Sequence, residues 1–276
     1  MGEKRPDSEA HHPEGERPVP RDITTLIESS GNSFHAKVAR WFSDHEWHVV
    51  ISPYYMDQAQ NKAREIDLVA EKLWPVDNVF GQRIGSLAVR LFVECKYVPS
   101  HSVFWFADKD RASAKELVCS GGIYRERNRE TNDHHYLSQG PKVAKLFATS
   151  GNKSTENDPF YKALNQTLNA MVAMRGQAVS IPSIKHAQEA PSPVIEFPVV
   201  VCSSFDQMYE VDFFSDSEPG SIENNFQLEV RYAYIDGKTQ RNDYFLIDFV
   251  EFGQLDHFED SIDNDARIAA FFESDN

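Results

Sequence analysis

Cysteine is scarce in this chain: Cys95, Cys119 and Cys202 are the only three among 276 residues. An odd, widely spaced set builds no disulfide framework, so the expected setting is reducing and cytoplasmic. Long apolar runs are also missing. Nothing approaches the ~20 residues that a membrane-spanning helix needs, and the opening MGEKRPDSEAHHPEGERP has none of the apolar core of a secretory signal. No membrane partner is expected. Positive charge is short in one region only. From Ser203 to Asn276 four bases (Arg231, Lys238, Arg241, Arg267) stand against 18 acids, whereas residues 1–202 hold 24 bases and 25 acids. The net charge of −15 therefore belongs almost wholly to the last quarter. No strongly basic footprint marks a polyanion-binding surface, yet the balanced first part leaves room for one.

Aromatic residues are plentiful, with 19 Phe, 10 Tyr and 4 Trp, and 41% of the chain is hydrophobic. That composition supports a sizeable core and argues against a wholly disordered chain. The length suits one large domain or one domain with an embellishment. Residues 1–22 are polar and proline-punctuated and are expected to be a disordered leader. The main domain is expected over 23–202, with a helical insertion at about 100–158 lying over one face. An acidic, β-rich extension over 203–276 is expected to pack on the same domain.

Periodicity supplies the elements. A helix should begin near Asn32 or Ser33, with Phe34, Val38, Trp41 and Phe42 on one face. Trp47 to Ile51 reads as a strand stopped by Pro53, and Glu65 to Ala70 as a second. Val89 to Tyr97 alternates, with Val89, Leu91, Val93 and Cys95 on one side and Arg90, Phe92, Glu94 and Lys96 on the other. Between these two strands, Pro75 and Gly81 suggest a loop or wide hairpin. Helices are expected over Arg111 to Val118, around Val143 to Phe147, and from Pro159 to about Arg175, the last ending at Gly176. Val194 to Cys202 should be a buried strand. Phe226 to Tyr234 and Tyr244 to Val250 should pair around the Asp236-Gly237 turn, and the tail after Gln254 is weakly helical.

The chemistry lies in an acid on one strand and an acid-x-lysine on the next. Alternation puts Glu94 and Lys96 on one face of an otherwise apolar strand, where an unpaired charge would be costly. If the Glu65 to Ala70 strand pairs antiparallel with it, Asp67 faces Glu94. Two carboxylates held that close repel each other, and a divalent cation removes the repulsion. Such a cation activates water and offsets charge on a phosphate, while a neighbouring lysine orients or deprotonates the water or balances the transition state. The set suits phosphodiester hydrolysis.

The order helix, strand, strand with Asp67 in EIDLVA, strand with Glu94-Cys95-Lys96 in FVECK, then helix resembles the PD-(D/E)xK nuclease superfamily. Its Mrr-like and Holliday-junction-resolvase-like branches look nearest. The resemblance covers roughly residues 30–100, with 159–202 as the later core helix and strand. It implies an α/β, restriction-endonuclease-like fold with a central mixed sheet flanked by helices. It further implies a Mg²⁺-dependent (or Mn²⁺-dependent) endo- or exonuclease acting on nucleic acid, DNA above all. Asp67 and Glu94 would be metal ligands with the Cys95 backbone carbonyl as a third, and Lys96 would be the catalytic lysine. His35 stands where many members carry a glutamate, and would be a further ligand. Gln166 resembles the polar residue that the later helix aims at the site. The proline of the superfamily's name is absent, since Ile66 precedes Asp67.

Other signals have plainer readings. Asp236-Gly237-Lys238 repeats the acid-x-lysine spacing but falls in a turn. Glu65 is expected to be structural or to support Asp67. Cys119, His134 and His135 lack a fourth zinc ligand at suitable spacing. Phe104-Trp105-Phe106 could stack bases but reads more simply as core, and Arg125, Arg127 and Arg129 alternate with acids, as on a solvated face. The rival to a nuclease is an inactive nuclease-like fold that binds nucleic acid or protein, with a second copy of the chain or another protein as partner. The acidic tail favours that rival, or an autoinhibitory role, because it would repel DNA.

Overall fold

In a computed structural model of the chain, the described residues are 23, 25, 27, 31–78, 80–151, 158–178, 180–181, 193–237 and 239–274. The expected leader over 1–22 and Lys238 lie outside them. The first described helix, α1 (Gly31–Asp44), buries Val38, Ala39 and Phe42, the face its spacing predicts. Trp47 is buried at its exit, and β1 (His48–Ile51) follows. A small hairpin of β2 (Tyr54–Asp57) and β3 (Lys62–Glu65) forms a separate two-stranded sheet. Next come β4 (Leu68–Asp77) and β5 (Arg83–Lys96), one long antiparallel hairpin. Pro75 lies inside β4 rather than in a loop. Among the described residues no strand pairs with the outer side of β4 beyond Glu71, so a residue without an N–H is tolerated there.

The remaining elements are β6 (Ser102–Asp108), α2 (Arg111–Cys119), the single turn α3 (His135–Ser138), β7 (Lys142–Thr149), α4 (Pro159–Met174), β8 (Val194–Cys202), β9 (Met208–Asp212), β10 (Gly220–Ser221), β11 (Phe226–Asp236), β12 (Thr239–Glu251) and α5 (Leu255–Ser274). Ten strands make one mixed sheet in the order β1-β4-β5-β8-β12-β11-β7-β6-β9-β10. The chain is thus α/β with helices on a large mixed sheet.

Three expectations change. The segment Val143 to Phe147 is a strand, not a helix. It pairs antiparallel with β6, and the register slips between Trp105 and Phe106, leaving Lys145 without a partner. That slip breaks the period-two pattern and gives the apolar residues a helix-like spacing. The stretch 100–158 therefore adds β6 and β7 to the sheet, besides α2 and α3. Likewise β11 and β12 lie between β8 and β7, inside the sheet. The tail after Gln254, expected to be helical, is a 20-residue helix that buries Leu255, Phe258, Ile262, Ala266, Ala269 and Phe272.

Two apolar layers cover the sheet. On one face α1, α2 and α5 pack on Leu68, Ala70, Val89, Leu91 and Val93. On the other, α4 and Tyr55 of the small hairpin pack on Ile66, Val69 and Phe92 together with Phe104, Phe160 and Phe249. Phe104 is fully buried among these rings and Phe106 is buried with it, so these two of the aromatic run are core, whereas Trp105 is half-buried. Each such side chain contributes about 1.5–3 kcal/mol by leaving water. The alternation in β5 sorts its residues between the two layers, and Glu94 follows Phe92 onto the α4 face.

Candidate functional site

The β4–β5 ladder decides what meets. Leu68 pairs with Val93, so Asp67, one residue before the strand, comes level with Glu94. The Asp67 backbone N–H donates a long 3.4 Å bond to Glu94 Oε1, and the Cys95 N–H donates to Asp67 Oδ2 at 2.8 Å. Lys96 Nζ donates to Glu94 Oε2 at 2.8 Å. β5 runs past the end of β4 because β8 continues beside it in parallel, pairing Glu94 with Val200 and Lys96 with Cys202. The three residues sit at the end of the β4–β5 ladder, where the last residues of β5 pair with β8 alone.

Burial sets the electrostatics. Glu94 is fully buried, and desolvation pushes its carboxyl up to about 7. Lys96 pulls the other way, and Asp67 adds to the rise. Burial also works to lower the Lys96 ammonium, but the Glu94 carboxylate outweighs it and leaves Lys96 above its ordinary range. The Glu94 carboxylate thus favours the Lys96 cation, while burial makes that carboxylate costly and leaves it in need of positive charge. Asp67 and Glu94 are hard oxygen donors, and their mutual repulsion is what a divalent cation relieves. The donor set fits a Mg²⁺-like ion.

The other sequence candidates lie near by, with different partners. Glu65 ends β3; hydroxyls of Ser52 and Tyr54 hold its carboxylate below the usual range, and His35 adds to that. Ser52 adopts φ 52°, an uncommon conformation for a residue with a side chain, and its N–H donates to the Asp67 carbonyl at 2.8 Å. His35, on α1, thus lies on the Glu65 side. Its Nε2 is buried without a hydrogen-bond partner, and no bond joins it to Asp67 or Glu94. Gln166, on α4, donates from Nε2 to the Glu65 carbonyl at 3.1 Å, which ties α4 to the strand that leads into Asp67. Its side chain also lines a cleft of about 550 Å³ shared with Tyr55, Arg64 and Asn169, which Asp67, Glu94 and Lys96 do not line.

Two buried charge clusters escape sequence reading. Arg90, 2% exposed, donates to Glu71 at 2.7 Å and Glu196 at 3.0 Å and to the carbonyls of Met174, the last residue of α4, and of Gln177 just beyond it. It faces the same way as Glu94 but four residues back, and is consumed by structure. The second cluster joins His134, His135, Asp248 and Asp265. Donor atoms of His134, His135 and Asp265 lie within 4.8 Å of one another, close enough to hold a metal ion. Each ring nitrogen already has a partner, however. His134 accepts from the Tyr136 N–H and reaches Asp265 at 3.2 Å, while His135 bonds Asp265 through Nδ1 and Asp248 through Nε2. Cys119 is not among them. Burial pushes His134 down to about 3, and the two carboxylates outweigh burial to raise His135 to about 10. The protonated His135, with buried Lys109 close to Asp248, offsets the two acids, while His134 stays neutral. Only the adjacency of two histidines hinted at this in the sequence, since their acids lie more than 100 residues away.

Arg125 packs over the Phe272 ring and bonds the Phe272 carbonyl, so it serves α5. Among the described residues no helix is long and apolar enough to cross a membrane. No protein-family model, no curated protein and no solved structure matches the chain.

Proposed function

We propose that the chain is a metal-dependent nuclease of the PD-(D/E)xK kind, hydrolysing phosphodiester bonds in nucleic acid, DNA above all. The observation that carries this reading is the meeting of Asp67, Glu94 and Lys96 at one end of the β4–β5 hairpin, with Lys96 Nζ 2.8 Å from Glu94. The sequence α1, β1, β4, β5, α4, β8 also follows the order on which the resemblance rests, with β2–β3 and β6–β7 interposed. Asp67 and Glu94, with the Cys95 carbonyl, would hold Mg²⁺ or Mn²⁺. When bound, the ion lowers the pKa of water and offsets charge on the phosphate. Lys96, kept protonated by Glu94, acts as a cation rather than a base: it orients the attacking water and balances negative charge gathering on the phosphate. Gln166 steadies the strand ahead of Asp67. His35, whose Nε2 has no hydrogen-bond partner, would be the further ligand.

Cleavage of plasmid and oligonucleotide substrates with Mg²⁺ or Mn²⁺ tests this reading. Asp67→Asn and Glu94→Gln should abolish cleavage and metal binding with circular dichroism unchanged, and Lys96→Met should keep metal binding but lose roughly 10²–10⁴-fold in rate. Undiminished cleavage in either carboxylate variant contradicts the assignment. One observation favours the inactive nucleic-acid- or protein-binding alternative: Glu94 has no contact with solvent and is already bonded to Lys96. A wild-type chain that binds DNA but shows no Mn²⁺ binding would establish that alternative.

A further inference from the structure

Near the middle of the ten-stranded sheet two neighbouring strands diverge. β8 and β12 pair only from Val199 and Asp248 onward; ahead of that point, residues 194–198 and 245–247 form no ladder with each other. Strand backbone left unpaired must bond elsewhere. Pro198 brings no N–H to the gap, and the Leu246 carbonyl accepts from the Tyr136 hydroxyl at 3.0 Å instead of from a strand. A cavity of about 570 Å³ opens in this parting, a size typical of small-ligand sites. Its walls come from both apolar layers: Val118, Ile123 and Phe197 from one, Met171 and Phe245 from the other. Most polar groups on these walls already have partners. Tyr124 donates to the Asp265 carbonyl at 3.1 Å, Ser120 to the Leu117 carbonyl at 2.7 Å and Gln177 to the Ala173 carbonyl at 3.1 Å. Both ring nitrogens of His134 are bonded as well. The exception is the pair Glu196 and Arg175. Glu196, 13% exposed, bonds Arg90 through Oε1 alone. Arg175 stands exposed close to Glu196 and the Tyr234 hydroxyl, and its five N–H groups leave donors to spare.

We propose that this cavity binds a small neutral molecule, apolar over most of its length and ending in a hydroxyl: an alcohol or a phenol. The apolar body lies out of water against Val118, Ile123, Met171 and Phe197. The hydroxyl, at once acceptor and donor, takes a hydrogen bond from Arg175 and gives one to the remaining oxygen of Glu196. Charge selects against ions. One guanidinium and one carboxylate line the cavity, so an anion or a cation meets its like charge as well as its opposite, and it loses hydration against apolar walls. The parting does not simply close, because Pro198 cannot extend the ladder and the Leu246 carbonyl is taken by Tyr136. Asp67, Glu94 and Lys96 do not line this cavity, and the inference is independent of the nuclease reading.

The test is fluorescence titration of the full chain with N-phenyl-naphthylamine, a neutral apolar dye that brightens on leaving water, followed by displacement near pH 7. The competitors are octanol, octanoate and octylammonium, which share one chain and differ in head-group charge. The dye should bind saturably, and octanol should displace it roughly tenfold better than either ion. Gly121 and Ala178 are exposed and line the mouth, and a Cβ added at Gly121 meets open space. Gly121→Phe and Ala178→Phe should each weaken dye binding by roughly tenfold or more, with circular dichroism unchanged. Arg175→Met keeps an apolar stem without its donors. It should weaken octanol about fivefold and leave the dye, which has no oxygen to accept from it, within about twofold of the parent. Absence of saturable dye binding, or parent-like binding in both phenylalanine variants, overturns the proposal. So does an ion that competes as well as octanol, or an Arg175→Met chain that binds octanol as the parent does.

Discussion

Glu94 is the residue on which burial and charge disagree most openly. Its strand neighbours demand an apolar side chain, and Lys96 recovers only part of the cost of a carboxylate there. With a folded pKa near 7 against an ordinary 4.5, the folded chain keeps a proton that the unfolded chain gives up between those values. Stability supplied by this residue is therefore lost as pH rises from about 4.5 to 7. Glu94→Gln, which keeps the shape and cannot ionise, should match the parent near pH 4.5 and exceed it at pH 8 by about 2 kcal/mol. Urea unfolding in chelator at the two pH values checks this. A variant no more stable than the parent at pH 8 would mean that the carboxylate is comfortable without a metal. The residue would then have no strain for an ion to relieve, which weakens its reading as a ligand.

At the scale of elements, Arg90 holds together what the site stands on. It reaches from β5 to Glu71 on β4, to Glu196 on β8 and to carbonyls at the end of α4, so the strand bearing Glu94 and the helix bearing Gln166 share one anchor. Arg90→Ala leaves Glu71 and Glu196 buried without their cation and should cost about 3–5 kcal/mol, read as a lower urea midpoint. Arg90→Met with Glu71→Gln should recover part of that loss, since fewer uncompensated charges remain. Legibility in the sequence follows the same physics. The apolar spacing of α1 and α4, the alternation of β5 and the Asp236-Gly237 turn are visible because each rests on local periodicity or turn chemistry. β7 is hidden by one unpaired residue, Lys145, and β4 by a proline that an edge accepts. The meeting of Asp67 with Glu94 could be anticipated from neighbouring segments. The partners of Arg90, and the tie from Gln166 to the Glu65 carbonyl, depend on pairings across the fold that no short window contains.

Across the whole molecule, the acidic last quarter is built in rather than hung on. β11 and β12 complete the sheet, and α5 closes one face of it. The closure is fastened where His135 of α3 lies between Asp265 of α5 and Asp248 of β12, with buried Lys109 close to Asp248. Two acids and two cations balance there, which lets an acidic helix pack without leaving net charge in the core. His135 has a folded pKa near 10, well above the ordinary 6.5, so its contribution is complete below pH 6.5 and is lost as pH climbs toward 10. Lys109, pushed down to about 8 by burial, works in the opposite sense above that pH, and a comparison of variants separates the two. The parent should lose Tm between pH 6.5 and 10 more steeply than His135→Gln. The variant itself should be less stable at pH 6 by about 3 kcal/mol, because Asp248 and Asp265 lose their shared cation. If the two proteins kept parallel pH profiles over that interval, His135 would be neutral in the fold, and α5 would be held by its apolar face and by the bonds of Glu259 to Trp47 and Lys72 instead.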